Sequence, residues 1–411
     1  MKSAQYFLLI ICIIVIIFLS LVFISSQEES PCTSCSPPAG IKVDGIALEA
    51  LLSGDMNYFR QVDPRDIGRA MDISIYSADD ITGQADYLES MFESDNSSDE
   101  YADSAMDFQT GVVLALQEAN KNTPRYSPRE YLAGNLPLNL SLLDSFAYLP
   151  SEWDQTGGSP DHCGNCWVWA DTGALQMELF RQKGIRDPLS VQYFTSSYHN
   201  GTGIWACCGG SPVFFADFYN ITKKAIPLSN TNTSFADSAT MCEKGESTSV
   251  PASTIQTTPY YPIEETHAEM IATNAVYEEE DISKETAIHS IKSALASGSA
   301  VVIIYTPDNW DSFMSFWENE NESAIFRPES KAGAIGNDGG HVMLILGYND
   351  TPLKDDNYWL VLNSWGAPEN RPDGTFKLDM DLDYSMQNPD GANTFEFYVQ
   401  NVTWGGGISG L

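Results

Sequence analysis

Apolar positions are unevenly spaced along this chain, and their spacing divides it into stretches of different texture. Residues 7–24 form an apolar run without a charge, interrupted by Ser20 alone, long enough as a helix to approach the thickness of a bilayer core. Between 41 and 122 apolar residues recur at helical spacing, as in 46–52 and 106–116, so a small helical segment is expected there. Pro124, Pro128 and Gly134 then fall close together, and mark a boundary. From Leu136 onward the texture changes again. A helical stretch opening near Cys166 is followed by runs rich in Val, Ile, Tyr and Phe, and 300–305, 342–348, 358–363 and 395–399 each read as a strand. Between them, 229–260 is rich in Ser, Thr, Asn and Pro and reads as a long loop or insertion.

The apolar run at the amino terminus decides the compartment. Lys2 precedes it and Glu28 and Glu29 follow it, an asymmetry that leaves the amino terminus inside and the rest of the chain outside. A cleaved signal peptide is the rival reading, in which the product is secreted. Either way residues 1–26 form an anchor or leader, and 27–40, with three prolines, a linker. Eight Asn-x-Ser/Thr sequons fit an exported chain. Acidic residues outnumber Lys plus Arg by 56 to 21, for a formal charge of -35. That charge repels nucleic acid and anionic lipid surfaces, so nucleic acid is set aside as a partner.

Export permits disulfides, and there are eight cysteines. Cys12 lies in the apolar run and Cys32 and Cys35 in the linker; the remainder, Cys163, Cys166, Cys207, Cys208 and Cys242, is odd in number. If four of these pair, one thiol is left over as an intermolecular partner or a reactive group. Cys166 opens the helical stretch, where the partial positive charge of a helix start stabilises a thiolate. His341 follows Gly339-Gly340 at the start of an apolar strand, a place from which an imidazole can reach a cleft and act as base. Asn363 ends the next strand and can accept a hydrogen bond from that ring, with Trp365 shielding the contact.

These residues lie in motifs that resemble the papain family of cysteine peptidases. Its Cys-Gly-Ser-Cys-Trp signature is matched by Cys163-Gly-Asn-Cys166-Trp167, and its Cys-Asn-Gly-Gly by Cys207-Cys-Gly-Gly210. Gly340-His341 before a strand ending in Gly347-Tyr348, and Asn363-Ser-Trp-Gly366, extend the likeness over about 136–399. The resemblance implies an α+β fold in two parts, a helical half and a β-barrel-like half with the active cleft between. It implies a cysteine-type endopeptidase with Cys166, His341 and Asn363 catalytic, no cofactor, and peptide or protein substrates bound by a monomer. It also implies a disulfide from Cys163 to Cys207 or Cys208, with Cys242 taking the other, and pairing of an extended substrate with the backbone of Gly209 and Gly210, beside Trp365. The family's oxyanion glutamine stands six residues before its nucleophile, where this chain has Pro160. Gln155 takes that role if 156–160 is an insertion.

The chain also departs from the family. His341 lies 175 residues after Cys166, about forty more than usual, and 229–260 holds most of the excess. Residues 41–135 stand where an inhibitory pro-segment would, without the family's spaced Glu, Arg, Phe, Asn, Ile, Asn pattern. The peptidase domain is therefore expected over 136–401, with a Gly-rich tail over 402–411. Other readings compete: a redox or zinc Cys-x-x-Cys, a calcium loop at Asp379, Asp381 and Asp383 lacking its turn glycine, a catalytically silent peptide-binding module, and a thiol amidase or transferase on cell-surface amides. The histidines His162, His199, His267 and His289 are expected to be surface residues without a role.

Overall fold

The computed structural model describes residues 123–128, 136–158, 162–202, 205–242, 246–273, 282–307, 310–328, 340–351, 356–386 and 393–406. The expected anchor or leader, the linker with Cys32 and Cys35, and nearly all of the expected helical segment lie outside them. Among the described residues no helix is long and apolar enough to cross a membrane.

A mixed sheet forms the centre. Its strands are β1 (Asn139–Ser141), β2 (Lys224–Ala225), β3 (Tyr261–Ile271), β4 (Val301–Tyr305), β5 (Ile325–Phe326), β6 (His341–Asn349), β7 (Tyr358–Leu362), β8 (Thr375–Asp379) and β9 (Phe395–Trp404). They lie in the order β2-β3-β9-β4-β6-β7-β8-β5, with β1 added on β6. Among the described strand pairs β5 and β8 run parallel and the others antiparallel. The path is open, and no ladder between its end strands β2 and β5 closes it among the described residues. The barrel-like half expected from the resemblance is here a sheet with two very short edge strands, two residues each.

The middle of this sheet is covered on both faces, which is why β4, β6 and β7 read as continuous apolar runs rather than as alternation. In β6, Val342, Leu344 and Leu346 face one core and Met343 and Ile345 the other. The first core is filled by α1 (Cys166–Lys183), α2 (Val191–Ser197) and α3 (Pro212–Thr222). The second is filled by α4 (Lys284–Ala296) and α5 (Trp310–Asn319), with Ile291, Leu295, Phe313 and Trp317 packed against Ile303, Trp359 and Phe376.

Helix α1 is buried along its first 14 residues, from Cys166 to Leu179, so it has no polar face to give a helical period. It stops where Gly184 takes a left-handed conformation, φ 67°, and donates its N–H to Phe180. Gly173 lets the helix lie close on the sheet, since a Cβ there would come 2.6 Å from a methyl of Leu344.

Two boundaries differ from expectation. Strand β9 runs through Trp404, whose ring is buried, so the sheet extends past 401 into the expected tail. Upstream, Tyr126 donates its N–H to Met270 and Met270 donates to Pro124, at 2.8 Å each. Extended backbone thus joins β3 before residue 136. The described residues of 229–260 are mostly loop, with a bridge at Ser247 and a short 3-10 turn at Ala252–Thr254.

Candidate active site

Cys166 is the first residue of α1, and its thiol lies on the core face shared with Val342. The N–H groups of Val342, Trp167 and Cys166 itself point at the sulfur. Those of the first helical turn have no carbonyl partner within the helix, which leaves them free for this use. Burial nevertheless dominates and pushes the thiol up to about 11. It is the free cysteine among the described residues. Cys163 is bonded to Cys207, and Cys208 to Cys242. This resolves the choice left between the two adjacent cysteines.

His341 opens β6 immediately before Val342, which places its backbone beside the thiol. Its Nε2 lies 2.7 Å from Asn363 Oδ1. That same oxygen accepts the Ser364 N–H at 2.8 Å, so it is the carbonyl end of the amide that faces the ring. Nε2 must then carry the proton, and neutral His341 keeps its lone pair on Nδ1. The Trp365 ring stacks on the imidazole with centroids 4.6 Å apart. Phe313 and Trp317 of α5 close around Trp365 at 5.6 Å and 5.8 Å.

His341 was expected at the mouth of a cleft, yet it is 4% exposed. The aromatic side chains of α5 and Trp365 cover it. Burial lowers its pKa to about 4, against the opposing hydrogen bond to Asn363, and nearby His162 lowers it further. Of the other histidines, His267 pairs with Glu269 on β3, His289 lies beside Ser293 on α4, and His199 packs edge-on against Tyr198.

The lowered pKa of His341 has a consequence for stability. An unfolded histidine takes its proton near pH 6.5, the folded one only near pH 4. The stability linked to this group is therefore full above pH 6.5 and is lost as the pH falls through 4, about 3 kcal/mol in all. Thermal melts at pH 7 and pH 4 should show a smaller acid-induced loss in His341→Gln than in the wild type. Equal losses would mean that His341 does not carry this term.

Gln155 reaches the same place by a short antiparallel bridge between Asp154 and Trp365. Its N–H donates to Ser364 at 2.8 Å and the Gly366 N–H donates to Trp153 at 3.0 Å. The Gln155 side chain is 2% exposed. Ser364 Oγ donates to its Oε1 at 2.5 Å, and its Nε2 donates to the Cys163 carbonyl at 3.2 Å. With Oε1 so engaged the NH2 end is turned toward the Cys163–Cys166 loop, and one of its two protons remains for another acceptor.

Gly209 and Gly210 follow the Cys207 turn and are partly exposed, Gly209 at φ 89°. Gly210 is pressed on Trp167, where a Cβ would lie 2.5 Å from the indole. Trp167 in turn is fully buried and donates Nε1–H to Ala206 at 3.0 Å. Trp365 stacks on His341, the ring whose contact with Asn363 it was expected to shield.

The carboxylates of the competing calcium-loop reading are engaged otherwise. Asp379 caps the Asp381 N–H and pairs with Arg327, Asp381 pairs with Lys284, and Asp383 caps Ser385.

Several residues of the site escaped the sequence reading. Ser364 lies inside the Asn363-Ser-Trp motif, where its hydroxyl was a visible candidate. Trp310, Phe313 and Trp317 have the i, i+3, i+7 spacing of an apolar helix face, a signal that was there to be read.

Comparison with known proteins bears on this arrangement. A family model described as papain family cysteine protease matches residues 158–389. Gln155 falls three residues before that span. The chain is 22% identical to cathepsin O of Homo sapiens over 284 residues, 68% of this chain and 75% of the relative. It is 22% identical to cathepsin O of Mus musculus over 243 residues, 59% of this chain and 65% of the relative, just under two thirds of that protein. It is 26% identical to a cathepsin L-like peptidase of Aedes aegypti over 209 residues, 50% of each. Among solved structures it is similar to the bromelain protease from Ananas comosus in complex with the E64 inhibitor, at 17% identity and TM-score 0.41, covering 64% of this chain and 98% of that one. It is also similar to proCathepsin B S9 from Trypanosoma congolense, at 14% identity and TM-score 0.43, covering 70% and 84%. The family model spans more than half of the chain and includes the Cys166, His341 and Asn363 motifs, and the chain belongs to the papain family of cysteine proteases.

Proposed function

We propose that this chain is an endopeptidase that hydrolyses peptide bonds through Cys166, His341 and Asn363. The observation that carries the reading is the fixed tautomer of His341. Asn363 holds the proton on Nε2, so Nδ1 has the lone pair needed to take the thiol proton. Burial penalises a lone thiolate and a lone imidazolium alike. Passing the proton from Cys166 to His341 creates the two opposite charges side by side, and attack on the substrate carbonyl then moves the negative charge onto its oxygen. Gln155 Nε2–H and the Cys166 N–H are the donors assigned to that oxyanion. His341 returns its proton to the leaving amine, and water releases the acyl-enzyme by the same steps in reverse.

An extended peptide pairing with the backbone of Gly209 and Gly210 fits the exposure of that turn. The two disulfides suit an oxidising compartment, hence an exported protein.

A second reading, a silent peptide-binding module, draws on the burial of the pair, with Cys166 8% and His341 4% exposed. Covalent labelling of the full chain with an epoxide thiol inhibitor, mapped by mass spectrometry, separates the two. Endopeptidase chemistry requires labelling at Cys166 that disappears in His341→Ala. A wild-type chain that hydrolyses no denatured protein and takes no label at Cys166 would leave the binding module.

A further inference from the structure

The long insertion at 229–260 does more than fill a gap between family motifs, because one buried carboxylate ties it to α2 and the residue after that carboxylate bonds the loop before Cys166. Asp237 is fully buried. Its Oδ1 accepts the Ser249 N–H at 2.6 Å and the Ser249 hydroxyl at 2.7 Å. Its Oδ2 accepts Gln192 Nε2–H and the Thr248 hydroxyl, both at 2.7 Å. Four donors from α2 and from the far side of the insertion thus converge on one side chain. Gln192 returns the contact by accepting the Ala236 N–H at 2.8 Å. A buried carboxylate with its donors in place is well held; removing it would leave both Ser249 donors without the acceptor they have here, while Gln192 keeps Ser196 Oγ at 2.8 Å and Thr248 the Val250 carbonyl at 3.2 Å.

The next residue makes the connection to the site. The Ser238 carbonyl accepts the Cys163 N–H at 3.1 Å. The Cys163 carbonyl, on the other side of the same residue, accepts Gln155 Nε2–H at 3.2 Å. Ser238 also abuts the turn that follows Gln155, where a Cβ on Gly157 would come 2.7 Å from its hydroxyl oxygen. The Cys208–Cys242 disulfide fastens the same segment of the insertion next to Gly209.

We propose that Asp237 is a positioning residue for the oxyanion donor: by tying the insertion to α2 it sets the Ser238 carbonyl, which holds Cys163 where its own carbonyl orients the Gln155 amide. This rests on the assignment of Gln155 under the proposed function. The inference gives the insertion a part in catalysis through hydrogen-bond geometry, with no contact between Asp237 and the substrate. A displacement of even a fraction of an ångström in an oxyanion donor lowers kcat without weakening the binding of the ground state.

The test uses the full chain and a peptide substrate, with kcat expressed per active site titrated by an epoxide thiol inhibitor. Asp237→Ala should lower kcat about tenfold with KM within about twofold of the wild type. In a Gln155→Ala background the same change should cost less than about twofold, since the group it positions is gone. Asp237→Asn, which keeps an acceptor for Ser249, should recover most of the loss. If Asp237→Ala does not fold, Ser249→Ala removes one of the four donors alone and should lower kcat about threefold, again without effect once Gln155 is absent. A Gln155→Ala variant with unaltered kcat overturns the oxyanion assignment and this inference with it. A normal Gln155 effect beside an unaltered kcat in folded Asp237→Ala, or a full tenfold loss in the double variant, overturns the inference alone.

Discussion

Exchange of Cys166 for alanine should lower peptide hydrolysis by about 10^6-fold, to the background of the assay. The expectation follows from the chemistry the described residues make available. Cys163, Cys207, Cys208 and Cys242 are held in disulfides, so Cys166 supplies the thiol. His341→Ala should cost nearly as much near neutral pH, because a thiol raised to about 11 has almost no thiolate without a base to receive its proton. The two variants should part company in alkali. Residual activity in His341→Ala should climb about tenfold per pH unit toward pH 11 as the thiolate forms unaided, whereas Cys166→Ala should stay flat. A pH profile of kcat/KM for both variants checks this, and a Cys166→Ala chain that keeps more than a hundredth of wild-type activity would rule out the thiol as nucleophile.

Gln155→Ala should reduce kcat by about 10^2 to 10^3-fold and leave KM nearly unchanged, the loss seen when one preorganised oxyanion donor is removed. The donor is worth so much because it is held before the charge appears. Ser364 fixes Oε1, the Cys163 carbonyl fixes one proton of Nε2, and burial excludes the water that would otherwise compete. Ser364→Ala should therefore lose part of the same effect, about tenfold, by freeing the amide to rotate. Steady-state kinetics on titrated enzyme decides the matter. A kcat within about threefold of the wild type in Gln155→Ala would assign the oxyanion to other donors.

Much of this site could be read in the sequence because its parts are local. Cys163-Gly-Asn-Cys166-Trp167 is a turn leading into a helix, and the N–H groups at the thiol are those any helix start leaves free. His341 and Asn363 sit at opposite ends of the apolar runs that became β6 and β7, and antiparallel pairing of such runs brings their ends together. Helix α1 was legible from Cys166 through Met177 and Phe180, three residues short of its end at Lys183, although its first 14 residues are buried and leave it no polar face. Trp365 was expected over the His341–Asn363 contact, but the further cover from Phe313 and Trp317 was not, because α5 meets that ring only in the folded chain. Adjacent Cys207 and Cys208 left their partners open because neighbours in sequence differ only in the direction their side chains take, and that direction is set by the 3-10 turn at Ala206–Cys208.

The sequence by itself determined which residues could do chemistry here and which apolar runs would be strands, because nucleophile, base and orienter are chemical types and β-branched and aromatic runs favour the extended chain. Tertiary structure decided the rest. The Ser364–Gln155 contact spans 209 residues, and the Ser238–Cys163 contact joins an insertion to the nucleophile loop. Neither has a periodic or compositional signature, since each is a single hydrogen bond between segments whose distance is fixed only by how the helices pack on the sheet. The burial that raises Cys166 and lowers His341 is of the same kind. Desolvation depends on every neighbour at once, and only the folded chain assembles those neighbours.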